Sequence, residues 1–141
     1  MIDDPVRTLP GYALRRVSTA VMARLAARLE RLQLRPAEAT VLLVIGANPG
    51  VKQSQIGRLL DIASANMAPL TARLADRGLI LRQAVDGRSH GLRLSETGRR
   101  TAQKARKTME EVEADLLARI PEGDREGFLR GLAALSGDIE D

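Results

Sequence analysis

The spacing of hydrophobic residues in the first third of the chain predicts two helices. One apolar stripe repeats at intervals of three and four residues within 10–34, the period of a helix with a single buried face. Its members are Leu14, Val17, Val21, Leu25, Leu29 and Leu32. Pro36 suits the first turn of a second helix, because the N–H that proline lacks would have no helical partner there. The run Asn48-Pro49-Gly50 is typical of a turn and predicts the end of that helix.

The middle of the chain predicts two short helices that pack against each other. The first lies within residues 51–62, and its expected inner face is Ile56, Leu59 and Leu60. The second begins at Ser64, which can serve as its N-cap, and ends before Gly78, a residue type favoured just after a helix. The inner face of this second helix is expected to be Met67, Leu70 and Leu74.

Two strands and two further helices complete the predicted order. Residues 79–85 and 91–94 read as antiparallel strands, since Asp86-Gly87 between them has hairpin chemistry. Ser95 predicts the N-cap of a fifth helix, which Pro121 ends. A last helix over 124–139 is expected to bury five residues: Phe128, Leu129, Leu132, Leu135 and Ile139. This order predicts a mostly α fold with a small β-hairpin, in the α+β class.

The two short helices have the spacing of a helix-turn-helix. Two helices that cross steeply need a small residue where their backbones approach, and Gly57 supplies it. The turn falls four residues later at Asp61, where a glycine would be more usual. Ile62 in the turn can face the core, and Met67 fills the joint from the second helix. A helical hairpin without function fits this segment equally well. The strand, hairpin loop and second strand that follow it favour a winged helix instead.

Charge is distributed unevenly along the chain. Residues 64–107 hold ten Lys and Arg against three Asp and Glu, whereas residues 108–141 hold three against ten. A basic middle therefore concentrates positive potential on one part of the fold, which favours a polyanionic partner. Charge alone is equally compatible with solvated helix surfaces. The net charge of +4 is a weak argument beside this distribution.

Length and composition exclude several classes. The 141 residues are enough for one domain, and no apolar run approaches the roughly 20 residues that span a bilayer. The N-terminus has no apolar segment behind a basic start, so we expect no secretory signal and a cytoplasmic location. Cysteine is absent, there is one histidine, and no glycine-rich phosphate loop occurs. We therefore expect no enzyme activity, no metal and no cofactor.

The segment LADRGLILRQAVDGRSHGLRLSETGRR resembles the signature of MarR-type transcriptional regulators. That signature reads Leu, two or three polar residues, Gly-Leu-Ile/Val, x-Arg, then Asp-x-Arg and Leu-Thr/Ser-x-x-Gly. The matching residues are Leu74, Gly78, Leu79, Ile80, Arg82, Asp86, Arg88, Leu94, Ser95 and Gly98. The long first helix and the two closing helices also fit the family, so the resemblance covers nearly the whole chain.

The resemblance implies a single domain, 1–141, that acts as a homodimer on double-stranded DNA. Dimerisation helices over 10–34 and 108–141 would surround a winged-helix region over 36–107. A two-fold protein requires a near-palindromic operator whose half-sites are about 10 base pairs apart. The family also implies a repressor that a small aromatic or anionic effector releases from DNA. Tyr12 and Arg16 are candidates for the effector site. A winged helix that binds only proteins is the alternative.

The resemblance places the helix from Ser64 in the major groove. Because its inner face is Met67, Leu70 and Leu74, the residues that point outward or sideways are Ala65, Asn66, Ala68, Pro69, Ala72 and Arg73. Asn66 has the donor and acceptor pair that grips adenine, although a helix-start cap is an equal interpretation. Arg73 would reach guanine or, better, a phosphate. Pro69 forfeits a helical hydrogen bond, so the helix either starts later, near Asn66, or bends.

Two further groups of DNA contacts are expected outside that helix. The start of the preceding helix offers donors to phosphates, or simply a polar surface: Gln53, Ser54 and Gln55. At the tip of the hairpin, or wing, Arg88 would enter the minor groove, where narrow A·T-rich stretches concentrate negative potential. His90 is expected near phosphates. By the family pattern, Asp86 would steady the wing through a hydrogen bond or an ion pair.

Overall fold

The fold is described from a computed structural model, which covers residues 1–139 and, for side chains, residues 1–137. Within that range the chain forms six α-helices, one 3-10 turn and three strands. Their bounds are α1 Pro10–Leu29, the 3-10 turn Glu30–Leu32, α2 Pro36–Ala47, β1 Val51–Lys52, α3 Gln53–Leu60, α4 Ser64–Asp76, β2 Ile80–Ala84, β3 His90–Leu94, α5 Glu96–Ala118 and α6 Glu122–Ile139. The predicted burial of Ile139 lies outside the described side chains.

The end of α1 differs from the prediction of one helix as far as residue 34. Gln33 adopts a left-handed conformation with φ of 54°. The Gln33 N–H donates to the Glu30 carbonyl at 2.9 Å, and the Leu34 N–H donates to the Leu29 carbonyl at 3.3 Å. This pair of bonds is the Schellman arrangement that ends a helix, here with glutamine in place of glycine.

The prediction for α2 is confirmed. Pro36 is its first residue, and Asn48-Pro49-Gly50 ends it with Gly50 at φ of 90°. The helix is central to the core, where Val41, Leu42 and Ile45 are fully buried. Because α2 is buried on most sides, its faces differ little in hydrophobicity.

The helix-turn-helix joint is also confirmed. Asp61 makes the turn at φ of 53°, and Met67 is buried between α3 and α4. A Cβ on Gly57 would lie 3.0 Å from the Ile62 carbonyl oxygen, which is why a small residue is needed there. The predicted inward position of Leu59 is wrong, since it is 67% exposed. Ile56 and Gly57 are buried and Leu60 is half-buried, and the step of about 100° per residue places Leu59 on the side of Ile56 that faces away from Gly57 and Leu60.

The two predicted strands pair antiparallel, with Ile80 opposite Leu94 and Ala84 opposite His90. A third strand, β1, was not predicted because two residues carry no periodic pattern. It pairs with β3, so the order in the sheet is β1-β3-β2. Gly91 permits this pairing, because a Cβ at that position would overlap the carbonyl oxygen of Gly50.

The start of α5 docks on the end of the helix-turn-helix. Ser95 is its N-cap as predicted, with the Oγ accepting from the Gly98 N–H at 2.9 Å. The same hydroxyl donates to the Gly78 carbonyl at 2.5 Å. Further along α5, Ala102, Ala105 and Val112 enter the core.

The outer half of α1 and most of α6 contribute nothing to the core of the protomer. Leu14, Val17, Leu129 and Leu135 are all at least 40% exposed. The predicted burial of Leu129 and Leu135 is therefore wrong within one protomer, although Phe128 is half-buried. In the described part of the chain, every helix is too short or too polar to cross a membrane.

Candidate nucleic-acid interface

The turn between α3 and α4 brings the starts of both helices to one open cleft of about 760 Å³. Gln53, Ser54 and Ser64 line it, together with the exposed Arg58, which the sequence analysis did not single out. The hydroxyl of Thr71 donates to Oε1 of Gln53 at 2.7 Å and so ties the start of α3 to the middle of α4.

The outer face of α4 is the predicted one. The inner residues Met67, Leu70 and Leu74 are buried, whereas the outward set is exposed: Ala65, Asn66, Ala68, Pro69, Ala72 and Arg73. The assignment of Ser64 as N-cap is wrong, because the helix already begins at Ser64 and Ala63 is the cap residue. The Ala63 carbonyl accepts from the N–H groups of Asn66 and Met67, which starts the helix one residue earlier than the side-chain signal suggested.

This start decides two interpretations that the sequence left open. Asn66 is the third helical residue rather than a cap, and its side chain makes no hydrogen bond within the described residues. The later helix start that would spare Pro69 is wrong. Pro69 instead lies inside the helix, where the Ala65 carbonyl loses its usual donor four residues on. Ala65 is exposed, so water can satisfy that carbonyl.

The start of α3 is built by side chains that have structural partners. Oε1 of Gln55 accepts the Lys52 N–H at 2.8 Å, which caps the first turn. Gln53 uses its oxygen for Thr71. Both glutamines therefore keep an amide NH2 group with which to donate to an anion, and Ser54 between them is exposed.

Arg73 is held away from the front of α4. Its Nη2 lies 3.8 Å from Oε1 of Glu38, whose side chain is only 6% exposed. Arg73 itself remains 44% exposed, so its guanidinium is also open to solvent.

The wing tip is organised around Asp86. Its Oδ1 accepts the N–H groups of Arg88 and Ser89 at 3.2 and 2.9 Å, and its Oδ2 lies 3.5 Å from Nζ of Lys52. The Ser89 side chain, then these two backbone N–H groups, and more weakly Lys52, lower the pKa of Asp86 from 3.8 to about 2. The carboxylate therefore folds the tip and fastens it to the start of α3.

The two wing residues predicted to contact DNA, Arg88 and His90, lie at the exposed end of the hairpin. Arg88 is exposed in the loop between β2 and β3, and its backbone, not its guanidinium, is fixed by Asp86. His90 is exposed at the first position of β3. Lys52 was missed by the sequence analysis, because its nearness to the wing depends on the pairing of β1 with β3.

We expect Asp86→Ala to loosen the wing tip, since the acceptor for two backbone N–H groups disappears. Amide hydrogen exchange at residues 88 and 89 should accelerate about tenfold or more at neutral pH, with exchange in α2 unchanged. The Asp86→Asn variant is the control, because it keeps an acceptor oxygen and loses only the charge that faces Lys52. Equal exchange in the wild type and Asp86→Ala would contradict the assignment.

The same carboxylate gives a defined pH dependence. A folded pKa below the unfolded value means that the contribution of Asp86 to stability is present above pH 3.8 and is lost as the pH falls through about 2. Wing order, followed by exchange or by NMR, should therefore be constant from pH 7 down to about 4. Loss of order well above pH 4 would show that a group other than Asp86 holds the wing tip.

The residues proposed for an effector lie on the outer half of α1. Tyr12 and Arg16 line an open depression of about 410 Å³. Arg16 is engaged there, with Nη1 2.8 Å from Oδ2 of Asp4 in the N-terminal segment. Two adjoining clefts, of about 260 and 440 Å³, lie elsewhere, between α2, β3 and α5. An apolar floor that includes Leu42 and Leu94 is flanked there by three cations: Arg93, Arg99 and Arg106.

A helix-turn-helix that leads into a cationic β-hairpin, with β1 as the third strand of the sheet, defines a winged-helix protein. A family model described as the MarR family matches residues 32–89. The DNA-bound transcriptional repressor CouR is 32% identical, with 96% of this chain and 99% of that chain covered at a TM-score of 0.86. The chain belongs to the MarR family of transcriptional regulators.

Further relatives and structures extend this comparison. CouR bound to p-coumaroyl-CoA is 30% identical, covering 96% of this chain and 98% of that chain at a TM-score of 0.85. A Mycobacterium tuberculosis MarR family protein in complex with p-aminosalicylic acid is 28% identical, covering 90% and 98% at a TM-score of 0.75. A Thauera aromatica protein named as a transcriptional regulator for the hcr operon is 26% identical over 125 residues, 86% of this chain and 75% of that protein.

Proposed function

We propose that this protein is a homodimeric repressor that binds a near-palindromic operator and leaves it when a small molecule binds. The observation that carries the proposal is the likeness to CouR, which extends over 96% of the chain and includes a structure on a DNA duplex. The family supports a regulator rather than an enzyme, and a regulator of this kind acts in the cytoplasm.

The exposed apolar residues support the dimer. Leu14 and Val17 on α1 and Leu129 and Leu135 on α6 form surfaces that one protomer leaves uncovered. Apolar side chains left exposed together on a protomer are typical of an interaction site. We assign residues 10–34 and 108–141 to dimerisation and residues 36–107 to DNA binding.

The DNA contacts are proposed on three elements that the structure links to one another. In the major groove, Asn66 and the exposed positions Ser64, Ala68 and Pro69 would face bases. Around it, Arg73 would contact phosphate in exchange for Glu38. Backbone contacts would come from Gln53, Ser54, Gln55 and His90. The wing would deliver Arg88 to the minor groove.

The effector is proposed to be an aromatic carboxylate or its acyl-CoA thioester. CouR binds p-coumaroyl-CoA, and the Mycobacterium tuberculosis relative binds p-aminosalicylic acid. An apolar floor beside Arg93, Arg99 and Arg106 has the chemistry that such a ligand needs, since the ring can pack on the floor while arginines pair with carboxylate or phosphate. Tyr12 and Arg16 remain candidates on α1, where effector binding would first have to displace Asp4.

Selection of genomic fragments by the purified protein tests the proposal. We expect recovery of a near-palindrome whose affinity falls steeply with salt, with a log–log slope of about −0.9 for each phosphate contacted. Addition of p-coumaroyl-CoA or a salicylate should release the fragments. A protein-interaction module, the alternative function, would recover no preferred sequence and show no such slope.

We expect Asn66→Ala to relax sequence preference more than it weakens non-specific binding. An amide that reads adenine contributes about 1–3 kcal/mol of discrimination at one base pair, and none on unrelated DNA. Affinities for the selected operator, for each single-base variant and for unrelated duplex measure this difference. Ala72→Ser, on the same exposed face, is the control. Equal losses on all sequences would show that Asn66 contacts only the backbone.

A further inference from the structure

The C-terminal end of α4 is fastened to the end of α1 by Arg77. Its Nη1 donates to the Gln33 carbonyl at 2.6 Å, and its Nη2 donates to the Leu32 carbonyl at 3.1 Å. Both carbonyls belong to the last turn of the α1 segment, where helical N–H partners run out. A guanidinium presents two N–H groups in a fixed fork, so it matches two adjacent carbonyls as a lysine cannot. From the C-terminal end of α4, Arg77 thus caps the last turn of the α1 segment.

The point of attachment is rigid. Gln33 is locked in its left-handed conformation by the two backbone bonds that end α1. Leu29 and Leu34 on either side of it are buried in the core. A carbonyl held in this way cannot follow Arg77 when α4 tilts, so the two hydrogen bonds resist a change in the angle between the helices.

A second contact acts one turn earlier on the same side of α4. Residues four apart on a helix are neighbours, which places Arg73 beside Arg77. Arg73 faces the buried Glu38, and Glu38 is itself held by the Arg35 N–H at 3.1 Å. The two arginines line one open cleft of about 600 Å³ between α4 and the junction of α1 with α2. If Arg73 exchanges Glu38 for a phosphate, Arg77 still provides a polar contact between α4 and the end of α1.

We propose that Arg77 is a positioning residue that sets the angle between the DNA-reading helix α4 and the dimerisation helix α1, and thereby the half-site spacing that the dimer accepts. The proposal rests on the proposed function. In a two-fold dimer that pairs through α1, the separation of the two α4 helices follows from this angle. Half-sites about one helical turn apart must match that separation. A fixed angle makes the match selective, and a loose angle makes it tolerant.

The test compares operators that differ only in spacing. The operator recovered by genomic selection is prepared with its native spacer and with one base pair added or removed. For the wild type we expect affinity to fall at least about tenfold on either altered spacer. For Arg77→Ala we expect the three affinities to lie within about threefold of one another, with unchanged discrimination against single-base changes inside a half-site. Arg77→Lys, which can cap one carbonyl, should be intermediate.

Arg31→Ala is the matched control. Arg31 is exposed in the same 3-10 turn, makes no hydrogen bond or ion pair within residues 1–137, and carries the same charge. It should keep the spacing preference of the wild type. If Arg77→Ala does not fold, Arg77→Lys alone decides, because a purely structural role would change its melting temperature without changing its spacing profile.

Two outcomes distinguish a failure of the proposed function from a failure of the role proposed for Arg77. A wild type that binds no genomic fragment overturns the proposed function and the spacing role with it. A wild type that binds and discriminates spacing, with Arg77→Ala or a folded Arg77→Lys discriminating equally, overturns only the role of Arg77.

Discussion

We expect Gly98→Ala to lower the free energy of unfolding by about 3 kcal/mol, the high end for an overpacked site. A Cβ on Gly98 would overlap the carbonyl oxygen of Leu79 and would lie 2.9 Å from its carbonyl carbon. Both atoms are backbone, so no side chain can rotate away. The carbonyl cannot move easily either, because it accepts the Ser95 N–H at 3.0 Å.

The higher helix propensity of alanine opposes this loss, but its effect is smaller. Alanine is a better helix former than glycine by roughly 0.5–1 kcal/mol, and Gly98 lies in the first turn of α5. The clash outweighs this gain about threefold or more. A loss of this size should reduce the melting temperature by roughly 10 °C in calorimetry or thermal circular dichroism, measured at a fixed protein concentration because the melting temperature of the proposed dimer depends on concentration.

Gly123→Ala is the control for this substitution. Gly123 lies in the first turn of α6, and a Cβ there would meet no atom within 4 Å. Alanine should leave stability unchanged or raise it by up to about 1 kcal/mol. If Gly98→Ala also proved neutral, α5 would not pack on the start of β2 as closely as described.

The start of α5 shows which contacts a single sequence can reveal. Ser95 was predictable as the N-cap, because its Oγ accepts the Gly98 N–H within one turn. The bond from Ser95 to the Gly78 carbonyl and the passage of Gly98 over Leu79 join residues that are distant in the chain, so spacing alone could not give them. The helix-turn-helix was predictable on the same local grounds as the cap, because Gly57, Asp61 and Met67 act within one short segment.

Features that depend on distant pairing could not be predicted. Strand β1 exists because Val51 and Lys52 meet β3 some forty residues later. Its pairing brings Lys52 to Asp86, a link between helix and wing that no spacing rule contains. The outward turn of Leu59 has a related cause, since the short α3 buries one narrow arc and an apolar residue beside it looks equivalent in sequence.

The residues of the candidate site also fall into those that could be predicted from sequence and those that could not. Helical period alone identified the outer face of α4, including Asn66 and Pro69. The partners of Arg73 and Arg77 lie on α2 and at the end of α1, so their roles emerge only when the chain is folded. An apolar stripe likewise does not distinguish a core from an interface. Leu25 and Leu29 are buried within the protomer, whereas Leu14 on the same stripe is exposed.

We expect Arg88→Ala to weaken operator binding about 30- to 150-fold without changing the oligomeric state. Arg88 is exposed at the wing tip, far along the chain from the surfaces assigned to dimerisation, and only its backbone is used to fold the tip. A dimer loses two such arginines, and about 1–1.5 kcal/mol for each, at the low end for a base-contacting arginine, gives this factor. Affinity is measured by fluorescence anisotropy, and the oligomeric state by analytical ultracentrifugation.

The minor-groove assignment predicts a change in base preference at the operator flanks in addition to weaker binding. A wing arginine in a narrow A·T-rich groove should make the wild type sensitive to A·T→G·C changes at the flanks of the operator, and Arg88→Ala should be indifferent to them. Arg119→Ala removes the same charge at the exposed end of α5 and should keep that sensitivity. Retained flank sensitivity in Arg88→Ala, even with weaker binding, would mean that Arg88 acts through bulk attraction to the duplex and that another part of the protein reads the groove.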